Sequence, residues 1–187
     1  MGISIEQIDF VDLSSSNPKL KYGCARNLLA IAKDSPAELY PHIDDLAKLL
    51  GGGNRILKWT AIDIVGLLSK VDTEQKIDKI MGKLFKLLNR GNMITANHAI
   101  VALANIALTK PEYQGNVTRE LLAVERYNYE TVECHNIVLG KAILAIGVYF
   151  DRLEDKRMVT DFVERQTNNT RSATRKKAEQ FLKKLNK

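Results

Sequence analysis

Cysteine, proline and aromatic side chains are all scarce in this sequence, and each scarcity excludes something. The only cysteines are Cys24 and Cys134. Far apart and without metal-like spacing, they exclude a disulfide framework and a zinc module and imply a reducing compartment with two inert thiols. Cytoplasm is the expected location. Aromatics make up 6% of the chain and prolines number four; a composition rich instead in Leu, Ile, Ala and Lys favours helices over sandwiches and barrels. No apolar run approaches the roughly 18 residues of a membrane helix. The opening MGISIEQIDF carries acids where a secretion signal would carry bases, so neither export nor membrane spanning is expected.

The chemistry of common enzymes is missing too. No glycine-rich phosphate loop follows a strand pattern, no nucleophile elbow occurs, and no carboxylates are paired at a catalytic spacing. Gly51 to Gly53 sits between two helical patterns, which makes it a turn. His42, His98 and His135 invite a metal reading, as does Cys134 beside His135. Adjacent helix residues point about 100° apart, so Cys134 and His135 cannot grip one ion together, and His98 with His135 supplies two ligands where a site needs more. No catalytic residue, metal or cofactor is expected.

Present instead is a repeat. In SPAELYPHIDDLAKLL, Ser35 to Leu50, Ser35 can cap a helix with Pro36 in its first turn, and Leu39, Ile43, Leu46, Leu49 and Leu50 recur at helical spacing. The three glycines then end the helix, since glycine takes positive φ freely. Asn54 caps a second helix whose apolar face carries Leu57, Ala61, Ile64, Val65 and Leu68. The run LKWTAIDIVGLL from Leu57 is echoed by LKYGCARNLLAI from Leu20, TANHAIVALANI from Thr95 and TRKKAEQFLKKL from Thr174. A further echo, NIVLGKAILAIG from Asn136, has a register open by one residue. Small residues (Ala61, Gly66, Ala99, Ala104, Ala178) stand where packed helices approach closely. Helix pairs of this kind bury their apolar faces only by stacking on one another.

These residues predict an all-α chain and one domain, 1–187, with pairs near 4–34, 35–71, 72–110, 111–150 and 151–187. First helices are expected near 4–14, 36–50, 73–89, 112–128 and 153–167. Second helices are expected near 18–33, 54–70, 93–109, 132–150 and 172–186. Lys76, Lys79, Lys83, Lys86 and Arg90 form a basic stripe opposite Ile77, Ile80, Met81, Leu84 and Leu88, read as a solvated face.

The pattern of a proline-bearing first helix, a short turn and a second helix rich in alanine resembles the HEAT repeat of the armadillo-type fold. Pro36 to Leu68 carries it best, with Pro41, the pair Leu57 and Lys58, and Gly66 in the family's positions. Glycine replaces the family's turn aspartate, and lysine replaces its arginine. The resemblance implies a right-handed α-α superhelix of about five pairs whose second helices line a concave groove, serving as a non-enzymatic scaffold for a protein partner. On that alignment one groove row is Tyr22, Trp59, Asn97, a residue near Ile137, and Lys176. The next is Arg26, Asp63, Val101, Lys141 and Gln180, with His98 and Lys177 beside them. Tyr22 and Trp59 would anchor a partner, or Trp59 would pack between helices.

The charge is uneven. Lysine and arginine exceed aspartate and glutamate by six, and the last seventeen residues, with seven bases against one acid, hold the whole excess. Arg171, Arg175, Lys176, Lys177, Lys183 and Lys184 are its bearers, with Lys187. A polar cap on a terminal repeat explains polarity but not sign, so binding of nucleic acid through this basic C-terminal repeat stays open as the alternative. The resemblance extends that alternative to the HEAT-like alkylpurine DNA glycosylases, which place an aromatic and a carboxylate on such a groove, as Trp59 and Asp63 would be. The concave arginine and further aromatics of those enzymes are not matched here, where Asn97 and His98 stand.

Overall fold

A computed structural model describes residues 4–89 and 92–185. Among these residues every regular element is an α- or 3-10 helix and no strand occurs. No helix among them is long and apolar enough to cross a membrane. Arg90 of the basic stripe, Gly91, a glycine expected to punctuate a helix break, and Lys187 of the tail lie outside the described residues. The chain divides into two compact units, Met1–Lys83 and Leu84–Lys187.

The first unit opens on two 3-10 turns, Ile5–Gln7 and Phe10–Ser14, in place of the expected helix over 4–14. Two local caps divide the segment: Ser4 Oγ accepts from Glu6 N, and Asp9 Oδ1 accepts from Val11 N at 2.9 Å. Helix α1 (Pro18–Asp34) then starts where Asn17 Oδ1 accepts from Lys19 N at 2.9 Å with Pro18 first inside. Its buried stripe is Cys24, Ala25, Leu28, Ile31 and Ala32, and it packs along α4 (Arg55–Leu68). The expected helix over 36–50 is broken into α2 (Pro36–Leu39), a 3-10 turn Tyr40–His42, and α3 (Ile43–Lys48). Pro41 lacks the N–H that a continuous helix needs there. Both pieces lie on α4, burying Leu39, Ile43 and Leu46.

The turn after α3 differs from expectation as well. Leu49–Gly51 tightens into a 3-10 turn, and Gly52 is extended at φ −67° and ψ 160°. Positive φ appears instead at Gln75, φ 55°, in a loop organised by Asp72. The Asp72 carboxylate accepts from Tyr40 Oη at 2.7 Å and from Lys76 N at 2.8 Å, and Tyr40 Oη accepts from Glu74 N at 3.1 Å. Lys76 is thereby drawn off the expected basic stripe. It is half-buried, 5.3 Å from the Tyr40 ring centre and within ion-pair reach of Asp44 and Glu74. Lys79, Lys83 and Lys86 do lie exposed along α5 (Asp78–Leu88), with Ile80, Met81, Leu84, Leu87 and Leu88 buried.

In the second unit, α6 (Met93–Thr109), α8 (Val132–Ile146) and α10 (Ser172–Leu185) pack side by side in that order. Helices α7 (Gln114–Ala123) and α9 (Arg157–Gln166) cover them. Helix α6 is buried nearly all round through Ala96, Ala99, Ile100, Ala102, Leu103, Ala104, Ile106 and Ala107, where its small residues permit close packing. Asn92 caps it, Thr95 N donating to Asn92 Oδ1 at 2.9 Å, and the Glu130 carboxylate accepts from Met93 N at 3.0 Å. Thr131 caps α8 through Cys134 N at 3.0 Å. Polar side chains join the last two pairs: Asn169 Nδ2 donates to Asn136 Oδ1 and Gln166 Oε1, while Gln166 Nε2 and Arg165 donate to Glu125. Arg171 adds a further ion pair, its Nε donating to Glu133 Oε1 at 2.6 Å.

Candidate functional site

The N-caps set the repeat register. Asn17, Asn54, Asn92 and Thr131 occupy equivalent places at the starts of α1, α4, α6 and α8. Since the echoes begin at Leu20, Leu57 and Thr95, three residues after their caps, the α8 echo begins at Cys134. In that register the expected groove rows would read Asn136 and Gly140 in α8, and Lys141 stands one residue past its expected row.

Each residue of the expected groove has a definite place. In the first unit Tyr22 is half-buried on α1 and its Oη accepts from Asn54 Nδ2 at 3.2 Å, tying α1 to the cap of α4. Arg26 is exposed on α1, and Trp59 and Asp63 are half-buried one turn apart on α4. In the second unit Asn97 and His98 are half-buried on α6, Lys141 on α8 and Lys177 on α10, while Lys176, Lys183 and Lys184 are exposed. The two tail arginines are engaged locally. Arg171 Nε donates to Glu133 Oε1 at 2.6 Å, and Arg175 Nη1 donates to the carbonyls of Asn169 at 2.8 Å and Thr170 at 3.1 Å.

What the second unit brings together is a face between α8 and α10. Side chains 141, 144 and 148 follow one another at helical spacing along one side, and 177, 181 and 184 do so along the other. Between them runs a cleft of about 370 Å³ lined by Ile143, Leu144, Val148, Phe150, Phe181 and Leu185, with Lys177, Gln180 and Lys184 from α10 and with Asp151. Leu144 is 49% exposed, Val148 52% and Leu185 39%, so the aliphatic floor is open to water. Phe181 is fixed edge-on against Phe150, ring centres 4.9 Å apart.

The helices meet closely at one end of this face. A Cβ on Gly140 would lie 2.8 Å from Thr174 Oγ1 and 3.3 Å from Lys177 Cδ, so the Lys177 stem lies across α8 and sets its ammonium beside Lys141. Lys177 is held below the ordinary lysine range, by burial first and then by the positive charges of Arg171 and Lys141. The face thus brings Lys141 and Lys177 together, while Arg171 is paired with Glu133 and Asp151 also lines the cleft.

Sequence periodicity did not find Leu144 or Val148 as site residues, although Gln180 stood in the second expected groove row, and the apolar spacing of Ala178, Phe181, Leu182 and Leu185 reads as a buried stripe. Ala178 is fully buried, but Phe181 is half-buried and Leu185 exposed, because no further pair covers α10 among the described residues. The available signal was Leu144 with Val148, one turn apart, following Lys141.

The histidines are dispersed. His42 stacks on Phe10 with ring centres 4.6 Å apart, and His135 Nε2 lies 3.0 Å from the Val124 carbonyl. Among the described residues no three His, Cys, Asp or Glu side chains are placed to hold a metal ion. Cys24 is buried and Cys134 half-buried, and both are free thiols. No protein-family model matches the chain, and no curated protein matches it.

Proposed function

We propose that the chain is a non-enzymatic interaction module: HEAT-like helix pairs wound as a right-handed α-α superhelix, presenting the second helices to a protein partner. The observation that carries this reading is the α8–α10 face, where Leu144, Val148 and Leu185 expose aliphatic surface around a cleft edged by lysines. Open aliphatic surface beside a cavity is the mark of an interface, since it costs solubility and gains energy only when covered. The helix-pair packing within each unit supports the HEAT-like part of the reading.

Nucleic-acid binding by the basic tail is the second reading, favoured by the exposure of Lys176, Lys183 and Lys184. One experiment separates the two. The intact protein and a variant with Leu144→Ser, Val148→Ser and Lys177→Glu are immobilised, and proteins retained from a lysate of the source cells are compared quantitatively. Labelled duplex and single-stranded DNA and RNA are titrated in parallel across a salt series. Proteins retained by the intact chain and lost by the variant support the module. Steeply salt-dependent nucleic-acid binding with no such proteins replaces it with the second reading, because phosphate contacts release counterions.

A further inference from the structure

Resting on that reading, we propose that the α8–α10 face docks an acidic amphipathic helix of a partner protein. The chemistry of the face selects that occupant. Its floor is apolar and concave, so it takes projecting leucine, isoleucine or phenylalanine side chains at i, i+3 or i+4, and i+7, as a helix presents them. Lys177 and Lys184 are seven residues apart on α10, two helical turns or about 10 Å. Lys141 stands on the other edge. Acidic residues flanking the apolar stripe of a docked helix would meet these lysines, and the crowding of Lys177 by Lys141 and Arg171 is relieved by an anion placed there.

The competing occupants fit less well. Arginine forks grip phosphate, yet the guanidiniums of Arg171 and Arg175 are turned to Glu133 and to backbone carbonyls. Stacking of bases wants an open aromatic face, and Phe181 is half-buried and locked against Phe150. A second copy meeting the face with its own equivalent would oppose lysines to lysines. A bilayer inserts protruding apolar groups, whereas here they line a hollow.

The test uses the full chain, isotope-labelled for NMR, and a synthetic helical peptide of about eighteen residues carrying leucines on one face and glutamates flanking them. A lysine-for-glutamate version of the peptide, duplex DNA and anionic phosphatidylserine vesicles are the comparison probes. The glutamate peptide should shift amides confined to the C-terminal half of α8 and to α10, and should bind more weakly as salt is raised. Leu144→Asp with Val148→Asp should weaken it roughly tenfold or more. Both positions are half exposed, so the fold is expected to survive, which the melting curve checks. Lys177→Glu with Lys184→Glu should reverse the preference, so that the lysine peptide binds the variant better than the glutamate peptide does. The inference is overturned by no binding at millimolar peptide, by binding indifferent to these substitutions, or by DNA or vesicles displacing the peptide and losing affinity in the same variants. If face-dependent protein partners are captured while the peptide fails, the module stands and the acidic-helix inference falls; if both fail, the module reading falls with it.

Discussion

Thr174 donates its hydroxyl to the Asn136 carbonyl at 2.7 Å, and the same oxygen lies 2.8 Å from where a Cβ on Gly140 would stand. The contact sets how closely α10 approaches α8, and so sets the edge of the candidate face. Thr174 is fully buried and its hydroxyl is committed, so it cannot swing aside. Gly140→Ala is expected to destabilise the protein by about 1–2 kcal/mol, the overpacking cost exceeding the gain in helix propensity. Thr174→Val removes the hydrogen bond while keeping the shape and should cost about 1 kcal/mol. Denaturant unfolding of both variants checks this, and a stabilised Gly140→Ala would show the approach to be slack.

The join between α9 and the turn after α7 makes a second prediction. Glu125 accepts from Arg165 at 3.0 and 2.8 Å and from Gln166 Nε2 at 2.9 Å. Arg165 is more than half exposed, but Gln166 is buried. Arg165→Ala therefore removes an ion pair worth under about 1 kcal/mol. Glu125→Ala strands a buried amide and should cost about 1–3 kcal/mol. Equal losses in the two variants, measured by thermal or denaturant unfolding, would contradict this assignment.

The caps and stripes of this fold were legible because their chemistry is local. Asn54 caps α4 as expected, α1 and α6 begin where helices were expected near 18 and 93, and the buried face of α4 follows the apolar spacing. The fourth register was hidden because Thr131 replaces the asparagine. The two turns before Ser15 were missed because periodicity does not distinguish a helix from successive 3-10 turns with separate caps. The candidate face was only half legible: spacing marks which side of α10 is apolar, but the depth to which Phe181 and Leu185 are covered depends on what packs beyond them.

A third prediction concerns the loop after α4. Asp72 is shared between the Tyr40 hydroxyl and the amides of Lys76 and Ile77, the last 3.4 Å from both carboxylate oxygens. Burial, and then the hydrogen bond to Asp72, hold the Tyr40 phenol above its ordinary range. Tyr40→Phe loses one partner of that carboxylate and is expected to cost about 1–2 kcal/mol; Asp72→Ala releases all three donors and should cost more. The double variant should fall short of additivity by about 1 kcal/mol or more, since the residues share one bond. Strict additivity in the cycle would place the stabilisation elsewhere in the loop.

Alkaline pH tests the packing of the first unit. The Cys24 thiol is 6% exposed and its Sγ lies 3.5 Å from the Asp9 carbonyl. Burial, with Asp12 and Asp9 adding negative charge nearby, pushes it up to about 11 from an ordinary 9.0. Between these values the unfolded chain has lost the proton and the native chain keeps it, so unfolding releases a proton and stability falls as pH rises. The contribution is fully present below pH 9 and is lost through about pH 11, on the order of 2 kcal/mol. Tyr149, raised to about 12 mainly by burial, extends the decline to higher pH. Unfolding free energies measured from neutral pH upward should therefore drop more steeply for the intact chain than for Cys24→Ala. The comparison reads the slope, so any packing lost with the sulfur at neutral pH does not enter. Parallel slopes, or thiolate absorbance rising near pH 9 in the native protein, would mean that Cys24 is reached by water and that the turns over Phe10–Ser14 do not seal α1.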